Sequence, residues 1–257
     1  MNSIHPIILL LTLIIYSTLL VGVWRDTRTK MRRLFSVYVV IALCWSLSTL
    51  LLFIDVLGLT RLWASLLAVS GISSIIAYYH FISGFVDRKN DIAVKLGYAA
   101  VAFILVPLAV LGYLPESVSV DNGILDISYG KFLYLITAIG AVFFILSVFT
   151  LVHRYRALTD PLSRNRIAYL LGGFGLLMAF SIRNSIPPLT TYPIEQIGHL
   201  GNALVISYTI MRYKLLDIRL LIRKGLVYSL ISIFVTASFL LMLFGVNYFL
   251  RGWNTSA

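Results

Sequence analysis

The chain has a single cysteine, Cys44, set inside an apolar run, so it can form neither an intrachain disulfide nor a thiol metal site. Charge is also scarce. Only 12% of the 257 residues are charged while 60% are hydrophobic, and the mean hydropathy is +0.93. A soluble single domain has an apolar share of about one half, so the solvent for most of this chain is lipid. No helix core contains a lysine that could carry a retinal Schiff base. No HExxH or similar spacing is present, and no three zinc ligands fall at one depth. Gly172, Gly173 and Gly175 lack the following Lys-Ser/Thr of a phosphate loop and lie in an apolar segment, so they serve packing or flexibility. No cofactor is expected.

Acidic residues are few, ten against twenty-one Lys and Arg, and the basic ones are unevenly placed. Seventeen of them fall in four short stretches, Arg25 to Arg33, Arg88 to Lys95, Arg154 to Arg166 and Arg212 to Lys224. A net charge of +11 spread over four loops, with no single basic face or arm, excludes nucleic acid as the natural partner. Attraction to anionic lipid headgroups accounts for it more simply. The lipid bilayer is therefore the expected partner.

Spanning a hydrocarbon layer takes about 20 mostly apolar residues. Eight segments qualify, at roughly 5–24, 34–54, 62–86, 95–114, 131–152, 167–187, 194–212 and 225–250. The start has no basic n-region and no small-residue cleavage site after the first apolar run, so that run is expected to stay as a helix with its N-terminus outside. Eight crossings then place the basic loops on the cytoplasmic side. The outer connections carry Asp55, Glu116, Asp121 and Asp126 against Arg61. The expectation is an all-α polytopic bundle. It divides into a seven-helix region over 1–212, an amphipathic inner-surface connector over 213–224, and an eighth helix with a short outer tail over 225–257.

Polar groups inside spanning helices are costly and mark where to look. In the third segment Ser70, Ser73, Ala77, His80 and Gly84 form one stripe that should face other helices, either as interhelical glue or with His80 as a ligand. The sixth and seventh segments share a short outer turn and should pair antiparallel. This brings Arg183, Asn184, Tyr192, Glu195, His199 and Asn202 toward one outward-facing region as candidate ligand-binding residues. Arg183 either snorkels or pairs with Glu195, or else lines a pocket for a small anionic or hydrogen-bonding signal. A haem between His80 and His199 is not expected, because the two lie at different depths.

The run from Tyr208 to Leu230, Tyr-Thr-Ile-Met-Arg-Tyr-Lys-Leu-Leu-Asp-Ile-Arg-Leu-Leu-Ile-Arg-Lys-Gly-Leu-Val-Tyr-Ser-Leu, resembles the signature that ends the seven-helix input region of bacterial sensor histidine kinases. His80-Phe81, Arg164-Asn165-Arg166, Asn184 with Ile186-Pro187, and Tyr192-Pro193 through Gly198 to Asn202 are similar to other positions of that family. The resemblance covers about residues 5–230. It implies a membrane sensor or receptor module of two-component signalling in the cell inner membrane, detecting an external or intramembrane small-molecule signal. It also implies a homodimer and a cytoplasmic kinase domain or partner protein. Arg212, Tyr213, Leu216, Asp217, Arg219 and Arg223 are candidate signal-coupling residues. Neither a phosphoacceptor helix nor an ATP-binding domain is in the sequence, so the chain itself is not expected to be an enzyme. A stand-alone anchor or accessory subunit of a membrane complex is the alternative, and a transporter is disfavoured by the few intramembrane charges and the lack of an evident repeat.

Overall fold

The computed structural model describes residues 4–24, 30–54, 58–88, 91–121, 124–181 and 194–213. These residues form an all-α bundle of seven helices with one small hairpin. Helix α1 is Ile4–Trp24, α2 Lys30–Ile54, α3 Thr60–Phe85 and α4 Ile92–Val110. Helix α5 is Phe132–Ala157, α6 Pro161–Ser181 and α7 Ile194–Tyr213. The segment expected to cross at 225–250 lies outside the described residues.

Five of these, α1 to α5, are long and apolar enough to span a bilayer. Their sequences are rich in Leu, Ile, Val and Phe, residues that are not all strong helix formers in water. In lipid the backbone has no water to bond to, so closing every N–H onto its own helix is the only economical solution. The chain is accordingly a multi-pass helical protein of membrane-spanning composition.

Local chemistry sets the ends. The last residue of α3 is followed by Val86 and then Asp87 in the left-handed region at φ 59°, and the Arg88 N–H closes onto the Ser83 carbonyl at 3.0 Å. Asp91 caps α4 by accepting from the Ala93 N–H at 3.1 Å. Asp160 caps α6, accepting from Leu162 N at 3.3 Å and Ser163 N at 2.9 Å, with Pro161 in the first position. The Ser163 and Leu162 bonds hold the Asp160 carboxyl below its ordinary value. Helix α4 is α-helical over Ile92–Ala100 and Val106–Val110, with a π-helical turn at Val101–Leu105 between them. At its far end the Arg61 guanidinium donates to the Gly112 carbonyl, and Ser65 Oγ donates to that of Leu114 at 2.8 Å. Both bonds fasten the exit of α4 to the start of α3.

The expected 115–130 loop contains a hairpin. Strands β1 (Ser117–Asp121) and β2 (Ile124–Ser128) pair antiparallel, with Val118 opposite Ile127 and Val120 opposite Leu125. Its sequence joins them with Asn122-Gly123, the pair most favoured for two-residue hairpin loops.

Helix α3 is the hub, touching α2, α4 and α5. One buried cluster joins α1, α2, α3, α5, α6 and α7 around Tyr16, Phe35, Tyr38, Tyr78, Phe81 and Phe174. A smaller one joins α3, α4 and α5 around Ile76, Tyr79, Leu105 and Phe143. Of the small-residue stripe on α3, Ser70, Ser73 and Ala77 are buried as expected, and Gly84 sits against Leu34 and Met31 of α2. The serines bond to their own helix: Ser70 Oγ to Leu66 O, and Ser73 Oγ to Val69 O at 2.7 Å. His80 is half-buried, with Nδ1 at 3.2 Å from the Tyr98 hydroxyl of α4.

Candidate functional site

Helices α6 and α7 pack closely as an antiparallel pair, because glycines let their backbones approach. A Cβ added to Gly173 would lie 2.8 Å from Asn202 Oδ1, one on Gly198 2.7 Å from Phe180 Cβ, and one on Gly201 2.2 Å from Leu176 Cδ2. This pairing presses one face of α7 against α1 and α2. That face carries His199 and Asn202, three residues apart and therefore neighbours on the helix surface.

Both side chains are buried, His199 at 4% exposure and Asn202 at 0%. The His199 ring stacks on the Trp45 indole of α2, with centroids 3.6 Å apart and planes 23° apart. Gly71 of α3 makes room for that indole, since a Cβ there would come within 3.1 Å of Trp45 Nε1. The backbone carbonyl of His199 accepts from the Tyr16 hydroxyl of α1 at 3.4 Å. Asn202 Nδ2 donates to the Tyr38 hydroxyl at 2.7 Å. Tyr38 meets Tyr78 of α3 edge-on at 5.2 Å. Tyr78 in turn stacks on Phe174 of α6 at 4.3 Å and donates to the Leu170 carbonyl at 2.9 Å. Five helices thus meet at one polar and aromatic layer.

Two polar atoms in this layer have no partner among the described residues: His199 Nδ1 and Asn202 Oδ1. Ser46 Oγ, next to Trp45 on α2, and Thr150 Oγ1 on α5 are in the same position. Among the described residues every other buried serine or threonine except Ser83 bonds to its own helix, as Ser147 Oγ does to Phe143 O at 2.7 Å and Ser207 Oγ to Ala203 O at 2.6 Å. A buried polar atom left unpaired costs about 1–3 kcal/mol, so a set of them calls for a guest, a water or a rearrangement. Chemically the layer offers an amide oxygen, an imidazole nitrogen and aromatic faces to a small hydrogen-bonding molecule.

A second polar group ties the basic ends of α3 and α4. Asp91 Oδ2 accepts from the Tyr79 hydroxyl and from Ser83 Oγ, each at 2.7 Å, and Arg88 Nη1 lies 3.5 Å from that Tyr79 hydroxyl. Burial opposes ionisation of Asp91, but the Tyr79, Ser83 and Ala93 hydrogen bonds, with Arg88 nearby, outweigh it and hold the carboxyl below its ordinary value. This is a structural clamp. Among the described residues no three His, Cys, Asp or Glu side chains gather where a metal ion could be held.

Of the six candidate ligand-binding residues, the structure brings His199 and Asn202 together in this layer. Glu195 belongs to α7 but its side chain is outside the described set, as are Arg183, Asn184 and Tyr192 altogether. Among the coupling candidates, Arg212 and Tyr213 end α7, and Leu216, Asp217, Arg219 and Arg223 fall outside the described residues. Sequence reasoning missed Tyr16, Tyr38, Trp45 and Tyr78. The available signal was an aromatic side chain with a polar tip deep in a spanning helix, which must find a hydrogen-bond partner there. No family model matches the chain, and no curated protein matches it.

Proposed function

We propose that the chain is the membrane input module of a two-component sensor histidine kinase, one that reads a small hydrogen-bonding signal in the layer around His199 and Asn202. The observation that carries this reading is the pair His199 Nδ1 and Asn202 Oδ1, without partners among the described residues, on α7, the helix whose last six residues begin the Tyr208–Leu230 segment. A guest that satisfies those atoms favours one packing of α7 against α1 and α2 over another, and its differential affinity for the two packings sets how far the equilibrium moves. Arg212 and Tyr213 then pass the shift into the basic connector. The module is not itself catalytic, resides in the cell inner membrane with its N-terminus outside, and works as a homodimer.

The native gene product, immunoblotted in its own cell with an antibody to residues 115–130, tests this directly. A product much larger than 28.8 kDa is expected, since a kinase output must accompany the module. A product of that same size with a stoichiometric partner that has no kinase domain overturns the reading in favour of a membrane anchor. Topology is checked alongside it: a cysteine at Val118 should react with an impermeant thiol reagent in intact cells, and one at Ala157 should not.

A further inference from the structure

Helices α4 and α5 both pack on α3 but not closely on each other. Phe143 of α5 reaches across the floor between them, against Gly97 of α4, where a Cβ would lie 2.6 Å from its ring. Above that floor a cavity of about 330 Å³ is left. Ala93, Leu96 and Ala100 of α4 and Ala138, Val142 and Leu146 of α5 form its walls, and it opens sideways. Ala93 is the second residue of α4, so the groove occupies the half of the helix nearer the basic loops.

The α5 stripe continues past the groove. His153 follows Leu146 by seven residues and Arg156 follows Val142 by fourteen, so both keep the groove's helical phase. Both are exposed, and the Phe149 ring, 63% exposed, stacks on His153 at 6.2 Å to complete an aromatic and then basic rim. A groove that is apolar along its length and basic at one end matches a molecule that is apolar and anionic in the same order. A helix with its side chains is a cylinder about 10 Å across, and a single hydrocarbon chain is far narrower.

We infer that the α4–α5 groove seats one acyl chain of an anionic phospholipid, with the phosphate at His153 and Arg156. The lipid would fill the gap between α4 and α5 and bind them as one unit. Basic side chains at a membrane surface each contribute about 1 kcal/mol toward anionic lipid, which is about fivefold in affinity.

The test uses the full purified chain, with lipid retention read by native mass spectrometry. Phosphatidylglycerol and phosphatidylcholine of identical acyl chains are offered in turn. Preferential retention of phosphatidylglycerol is expected, falling about fivefold in Arg156→Gln. Ala138→Phe, which fills the groove, should lose both lipids, and Val21→Phe on the outer face of α1 should lose neither. Photoactivatable phosphatidylglycerol should label peptides containing Leu96 and Val142 in the unaltered chain, a readout that needs no variant to fold. Equal retention of the two lipids, label elsewhere, or an Ala138→Phe variant that keeps its lipid would each overturn the assignment. A change from dimer to monomer in Ala138→Phe with lipid still retained would give the groove to a second copy.

Discussion

Helix α3 and the α4–α5 pair differ in a way that runs against water-soluble proteins. The most apolar 18-residue window of α3 has the lowest mean hydropathy of the five spanning helices, 1.5, yet it is the most buried, at 56%. Helices α4 and α5 are more apolar, at 2.1 and 2.6, and are only 17% and 28% buried. In water the apolar helix would be inside. In lipid no hydrophobic force drives helices together, so hydroxyls, tyrosines and small residues choose the neighbours and the purely apolar faces turn outward. The polar layer around His199 and the open groove between α4 and α5 are two outcomes of that single rule.

If the tight side is held by packing at the aromatic layer, the largest effect should come from Trp45→Ala. It removes the ring stacked on His199 and leaves a cavity between α2, α3 and α7. A loss of about 3 kcal/mol or more is expected, measured by unfolding in mixed micelles. A loss below about 1 kcal/mol would show that the layer is not close-packed. Next comes the floor of the loose side. Gly97→Leu pushes a side chain into Phe143 and Ile76, whose nearest atoms would be 2.6 and 2.8 Å from the new Cβ. A cost of about 1–3 kcal/mol is expected, because Phe143 has to leave the gap. A neutral result would mean that α4 is free to move away from α3.

The contrast between the two sides was only partly legible in the sequence. Basic loops and apolar runs located α1 to α7 to within a few residues at most ends, because a bilayer imposes length and charge rules that soluble folds lack. The pairing of α6 with α7 followed from their short connection, and the burial of Ser70, Ser73 and Ala77 from their spacing. The start of α2 was missed by four residues, the end of α5 by five and the start of α6 by six, since the basic residues from Lys30 to Arg33 and from Arg154 to Arg166 read as loop although basic side chains extend readily from a helix end to the interface. The hairpin was missed although Asn122-Gly123 stood between alternating residues, because two five-residue strands carry a weak signal and an isolated hairpin is marginal without packing. The site was half visible. His199 and Asn202 were marked by their polarity, but nothing in one dimension says that Trp45 and Tyr38, more than 150 positions earlier, would be their partners.

The clamp joining the two sides should give a smaller, pH-dependent effect. Asp91→Asn keeps the shape but weakens the acceptor for Tyr79 and Ser83, and about 1 kcal/mol is expected because the carboxylate is only partly buried. A carboxyl held below its ordinary value of 3.8 contributes its stabilisation in full above that value and loses it as pH falls toward the folded-state value. Unfolding midpoints compared at pH 6 and pH 3 should therefore converge between the native chain and Asp91→Asn. A difference that persists at the lower pH would mean that the clamp is steric.

The smallest expected effect is also the sharpest test of lipid as the solvent. Phe103 lies in the π turn of α4 and is 81% exposed, and Val110 at the end of that helix is 80% exposed. On a soluble protein such a patch would promote association, and removing Phe103 would change solubility and oligomeric state. In a bilayer the ring is in hydrocarbon in both the packed and unpacked states, so Phe103→Ala removes no differential burial and should change stability by less than about 0.5 kcal/mol. A larger loss, or a monomer where the native chain is a dimer, would move this face of α4 from lipid contact to protein contact. Helix α4 would then be a second buried helix beside α3.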